Sequence, residues 1–113
     1  MKPTIYAGIR VPTVEQIKKI CCDVFGVDNF IVKSRKMQVK LARHTFCYLL
    51  KKHFGMSLAD IAREVDRKSH VTIMSAINII ENTYKNDHNI KGLIEQCENR
   101  VNQLIIEFKD IDK

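Results

Sequence analysis

Apolar residues recur along this chain at helical spacing and divide it into five segments. Val14, Ile17, Ile20, Cys21, Val24 and Phe25 form one stripe of a first helix. Thr13 and Gln16 have the spacing of a capping box at its start, and Gly26 supplies the stop. Val27 to Val32 is a short apolar connector with room for a single turn opened by Asp28. A long second helix is expected from about Lys36 to Phe54, ended by Gly55. Leu41, Ala42, Thr45, Phe46, Leu49, Leu50 and His53 make its buried stripe, while Lys40, Arg43, Lys51 and Lys52 lie off it. Ser57 is a good N-cap for a short third helix carrying Leu58, Ile61, Ala62 and Val65. After the polar turn Asp66-Arg67-Lys68, a fourth helix begins at Ser69 and turns Ile73, Ala76, Ile77, Ile80 and Tyr84 inward. Asn86 to Asn89 reads as a loop. The last helix, from Ile90 to about Asp110, carries Ile90, Ile94, Cys97, Val101, Leu104, Phe108 and Ile111, whose spacings alternate between four and three as in a heptad seam.

No alternating strand pattern competes with these helices, so the expected fold class is all-α, a compact helical domain of about five or six helices. Four Gly and two Pro are too few for the many tight turns of a β-sandwich. Residues 1–12 lack clear periodicity and are expected to form an N-terminal arm, with 13–113 as one domain. Within it, 57–84 has the pattern of a helix-turn-helix: a short helix, a three- to four-residue turn and an amphipathic second helix. The small or polar residues Ser69, His70, Val71 and Thr72, with Lys68, stand where such a motif meets base edges.

Charge points the same way. The formal net charge is +6, and residues 29–59 hold no Asp or Glu while Lys33, Arg35, Lys36, Lys40, Arg43, Lys51 and Lys52 all fall there. A solvated helix face usually mixes both signs, so a basic block of this kind implies a polyanionic partner. Cys21, Cys22, Cys47 and Cys97 form no C-x-x-C and have no His at metal-ligand spacing. No metal or other cofactor is expected, and no paired carboxylates or nucleophile-base arrangement suggests an enzyme. With no signal-like segment in Met1 to Pro12 and no apolar run near the ~20 residues that span a bilayer, the expected location is the cytoplasm, away from membranes.

The run Lys33-Ser34-Arg35-Lys36, then Ala42-Arg43, then Ser57-Leu58-x-x-Ile61, then His70-x-Thr72-Ile73-x-x-Ala76-x-x-x-Ile80-Glu81 resembles the C-terminal DNA-binding domain of the bacterial replication initiator DnaA. The resemblance spans roughly residues 13 to 100 and keeps the order and spacing of the elements. It implies double-stranded DNA as the partner. It further implies that Arg35, with Lys33 and Ser34 beside it, enters the minor groove, and that Arg43 and Lys51 approach backbone phosphates. The family signature at the start of the reading helix is Gly-Gly-Arg-Asp-His-Thr-Thr-Val, and this chain has Asp66-Arg67-Lys68-Ser69-His70-Val71-Thr72-Ile73. Ser69 in place of Asp weakens an acceptor for cytosine's amino group, and Val71 in place of Thr keeps a methyl but loses a hydroxyl.

The family's ATPase module is not in this sequence, and Val32-Lys33-Ser34 lacks the glycines of a phosphate-binding loop, so no nucleotide is expected to bind. A domain standing alone would bind DNA without remodelling it, as a regulator or accessory factor in replication or transcription. The alternative expectation is a protein-interaction module that binds an initiator, or self-associates, through the heptad of the last helix.

Overall fold

Thr13 opens the first helix as its spacing requires. Its Oγ1 accepts from the Gln16 N–H at 3.1 Å, and the Gln16 Oε1 accepts from the Thr13 N–H at 2.8 Å. In a computed structural model of the chain, backbone is described for residues 4–6, 9–11, 13–31, 36–67 and 69–111, and side chains for 13–31, 36–67, 69–82 and 86–106. Helix α1 runs Val14–Phe25 and stops at Gly26, whose φ of 69° lies in the left-handed region that glycine adopts without a Cβ clash. Helix α2 runs Met37–Phe54 and ends in the same way at Gly55. Helix α3 is Leu58–Glu64, with the Ser57 Oγ accepting from the Asp60 N–H at 3.1 Å. Helix α4 is His70–Asn86 and α5 is His88–Ile111.

The core forms where α2 meets α1 and α4, closed on the far side by α5, which lies against both α1 and α4. Every residue assigned to the inward stripe of α2 is buried, and Val39, Cys47 and Phe54 join them. Among the described residues, Thr45 and His53 are the buried polar side chains of this interior, and neither the Thr45 hydroxyl nor either ring nitrogen of His53 has a hydrogen-bond partner there. Cys21, Cys47 and Cys97 are buried and free. Burial pushes the Cys47 thiol up to about 12, so it packs as a small apolar group. Among the described residues, no helix is long and apolar enough to cross a membrane, and no group of His, Cys, Asp and Glu could hold a metal ion.

Four expectations need correction. The N-terminal arm contains an antiparallel hairpin, β1 (Thr4–Tyr6) and β2 (Ile9–Val11), in which Thr4 faces Val11, Ile5 faces Arg10 and Tyr6 faces Ile9. Strands of three residues are too short to show an alternation. Such a pair is marginal alone, and β2 lies against α5. Second, the connector makes no helical turn. It bends through residues 27–31 with the Asn29 Oδ1, not Asp28, accepting from the Ile31 N–H at 2.9 Å, and Phe30 is fully buried.

Third, the loop expected from Asn86 to Asn89 shrinks to Asp87 alone. The Asp87 Oδ1 accepts from the N–H groups of Asn89 and Ile90 at 3.0 and 3.2 Å, which satisfies two donors at the start of α5. Fourth, the heptad of α5 does not hold to its end. Ile94, Cys97 and Val101 are buried, but the next core residue is Ile105, with Leu104 only half-buried and Ile106 exposed. A straight helix turns once per 3.6 residues and drifts about 20° per heptad, so the inward position moves on by one. The side chains of Tyr84, Phe108 and Ile111 lie outside those described.

Candidate nucleic-acid interface

The turn between α3 and α4 is where burial changes sides. Val65 closes α3 and is fully buried, and Asp66 then takes a φ of 54°. Asp and Asn are among the few L-residues that enter the left-handed region, and Asp66 stands where the family signature has a glycine. Five residues, 65–69, separate the helices, rather than the three or four expected. Ser69 precedes α4 and its Oγ accepts from the Val71 N–H at 3.2 Å, so the hydroxyl oxygen caps the helix.

Helix α4 then presents two unlike faces. Ile73, Ala76 and Ile80 are buried against the core. Ser69, His70, Val71 and Thr72 are all exposed, followed on the outer side by Met74, Ser75 and Asn78. From His70 to Ile80 the helix carries no Asp, Glu, Lys or Arg. Val71 is 69 % exposed, Met74 50 % and Ile79, further along the helix, 44 %, an unusual degree of apolar exposure for one helix. Met74 was not assigned to the site from the sequence; its position three residues after Val71 was the available signal.

A cluster of cations lies behind this helix. Arg43, His44, Cys47, Val65, Arg67, Thr72, Ile73 and Ala76 line a cavity of about 60 Å³, room for a few waters. Burial and the neighbouring Arg67 hold the Arg43 guanidinium below its ordinary value. His44 is pushed down to about 4, first by burial and then by the charges of Arg43, Lys40 and Arg67. The charges that act on Arg43 and His44 in this way are cations, so the fold tolerates a concentration of positive potential here.

Arg43 is half-buried and donates from Nη1 to the Phe30 carbonyl at 3.0 Å, so part of its fork is committed inside the protein. Lys51 is exposed two turns further along α2, about 12 Å away along the axis. Lys52, counted with the basic block, is paired with Glu98 of α5 at 2.9 Å, and its charge is offset there. Lys33, Ser34, Arg35 and Lys68 lie outside the described residues.

The two depressed histidines give a pH dependence. Burial lowers His53 as it lowers His44, so both are neutral in the fold and take up protons more readily once unfolded. The contribution of His44 to stability is complete above about pH 6.5 and is lost as pH falls towards 4, and His53 acts in the same direction. Unfolding in urea is expected to shift to lower denaturant across that window, and His44→Gln is expected to flatten the shift; an unchanged profile would contradict the assignment.

Residues 14–80 match the family model for the bacterial dnaA protein helix-turn-helix. This chain belongs to that family. It is 33 % identical over 94 residues to the chromosomal replication initiator protein DnaA of Bdellovibrio bacteriovorus, covering 81 % of this chain and 20 % of that protein. It is 30 % identical over 92 residues to the DnaA of Borrelia turicatae, covering 80 % of this chain and 19 % of the relative. The DnaA of Mycoplasma capricolum matches over 101 residues at 29 % identity, 88 % of this chain and 22 % of the relative. The chain thus spans about a fifth of the length of the curated relatives it matches. The matched region of the family model takes in α1, the basic segment, α2, α3 and α4 as far as Ile80, and ends before α5.

Proposed function

We propose that this chain binds double-stranded DNA as a DnaA-type helix-turn-helix, with the start of α4 in the major groove. The observation that carries this reading is the exposed face of α4, which bears no charged residue from His70 to Ile80, set beside the guanidiniums of Arg43 and Arg67. Ser69, His70, Val71 and Thr72, with Lys68 at the turn, meet base edges. Val71 offers a methyl surface to thymine and His70 a ring nitrogen to a base acceptor or donor. Arg35, flanked by Lys33 and Ser34, reaches the adjacent minor groove, while Arg43 and Lys51 face phosphates. The family match supports the roles of these residues. The names of the relatives favour a place in replication initiation, as a regulator or accessory factor acting in the cytoplasm.

The alternative, a protein-interaction module built on α5, has less support. Ile94, Cys97, Val101 and Ile105 of that helix are already buried in the chain's own core, and Ile106 is its exposed large apolar side chain among those described. Amide chemical shifts recorded while titrating a duplex separate the two. The DNA reading predicts the largest changes at Ser69–Asn78, with α5 little affected. Changes concentrated on α5, with α4 silent, would reject it.

A further inference from the structure

Arg67 stands where the family signature has its second glycine, and its side chain makes contacts that a glycine cannot. Its Nη1 lies 3.1 Å from the Val65 carbonyl, 3.2 Å from the Asp66 carbonyl and 3.4 Å from the Ile31 carbonyl. Among the described residues, the hydrogen bonds of this guanidinium all leave from Nη1, so the donors of Nε and Nη2 stay available. Arg43, reaching from α2, donates to the Phe30 carbonyl at 3.0 Å. Phe30 and Ile31 are consecutive, so their carbonyls draw the two guanidiniums together, and both line the cavity behind the first turn of α4.

This arrangement is not what electrostatics alone would select. Arg67 depresses Arg43, and ordering two long side chains works against folding. Four backbone carbonyl dipoles offset part of the repulsion, but they carry no net charge. An anion between the two cations turns that repulsion into two attractions. The size of the cavity limits what can enter. At about 60 Å³ it holds roughly two waters, too little for a base or a sugar but enough for the oxygens of one phosphate. None of the described residues that line it is acidic. Thr72, exposed in the first turn of α4, adds a hydroxyl donor, and that end of the helix is the positive pole of its dipole.

We propose that Arg67 is a phosphate-binding residue of this chain's own, which joins Arg43 and Thr72 in holding one backbone phosphodiester of the duplex at this cavity. The proposal rests on the DNA reading above and adds a contact that the family's glycine cannot make. The carbonyl bonds orient the guanidinium before DNA arrives, so little side-chain freedom is lost on binding. A contact to phosphate alone adds affinity on every base sequence and no preference among them.

Anisotropy against salt, on two duplexes of unrelated sequence, tests this. Arg67→Gly, which restores the family residue, is expected to weaken binding by about five- to tenfold on both duplexes. The slope of log K against log salt should become shallower by about 0.9. Arg67→Met, which keeps the aliphatic stem and removes the charge, should behave the same way if Arg67→Gly folds poorly. Arg67→Lys, which keeps the charge and loses the fork, is expected to restore the slope and part of the affinity. An unchanged slope in Arg67→Gly and Arg67→Met would overturn the proposal: a loss of affinity with a lowered melting temperature makes Arg67 a brace, and a loss confined to one duplex makes it a base reader. Inorganic phosphate, titrated at constant ionic strength and followed at the Arg67 Nε–H and Thr72 amide resonances, separates the two sources of the group. Phosphate that shifts both and displaces the duplex supports the assignment, as does a duplex that shifts both where phosphate shifts neither. Phosphate that shifts both without displacing the duplex assigns the cavity to a free anion and overturns it. A wild-type chain that binds no duplex fails the DNA reading itself, an outcome distinct from these, in all of which the wild type binds.

Discussion

Phe30→Ala is expected to destabilise the protein by about 3–5 kcal/mol, a large part of the ~5–15 kcal/mol that holds a domain of this size together. Phe30 is fully buried although it lies in an irregular segment, and its ring centroid is 5.0 Å from that of Phe46 at a tilted 48°. Polar contacts also hold the segment: the Val27 N–H to the Cys22 carbonyl, the Cys22 thiol to the Asp28 carbonyl, the Asn29 side chain to the Ile31 N–H, and the two guanidiniums on its carbonyls. Removing the ring opens a cavity beside Phe46 and frees the connector whose carbonyls Arg43 and Arg67 hold. Phe30→Leu, which keeps most of the volume, should cost far less. Urea unfolding followed by circular dichroism reads both. A loss below about 1 kcal/mol for Phe30→Ala would mean that the ring does not hold the connector to the core.

The second large effect concerns binding. His70→Ala and Arg35→Ala are each expected to weaken duplex binding by about 1–3 kcal/mol, roughly ten- to a hundredfold, and together by about the sum if they act in separate grooves. His70 is exposed at the first turn of α4, so its truncation leaves the core intact. Gln96→Ala, at an exposed position of α5, serves as the control and should leave binding unchanged. Anisotropy with the wild type, the two single variants, their double variant and the control on one duplex decides this. Unaltered affinity in both His70→Ala and Arg35→Ala would remove the assigned readers.

Much of this was legible in the sequence because the helices obey local rules. Thr13, Gly26, Gly55 and Ser57 announce their ends by side-chain chemistry, and the inward stripe of α2 follows from a period of 3.6. The exposed residues of α4 could be named because they are what remains when the buried stripe is subtracted. Contacts between distant segments were not legible. The path of the connector depends on where the Phe30 ring finds Phe46, and only that path brings the Phe30 and Ile31 carbonyls under Arg43 and Arg67.

Lys52 carries the same lesson: a charge counted in a basic block meets Glu98, 46 residues away. The seam of α5 was misread where a strict heptad and a straight helix part company, at Leu104 and Ile105. Arg67 could have been noticed as an arginine in a glycine position, yet nothing in the sequence shows which carbonyls it reaches.

Binding of duplex DNA by a cationic, DnaA-type surface is tested most directly by affinity measured against salt. Each phosphate neutralised releases counterions, so log K falls linearly with log salt with a slope of about −0.9 per contact. For contacts from Arg35, Arg43, Lys51 and neighbouring cations, wild-type affinity should fall steeply as salt rises, with a slope of about −3 or steeper. Absence of binding at low salt, or binding indifferent to salt, would contradict the account.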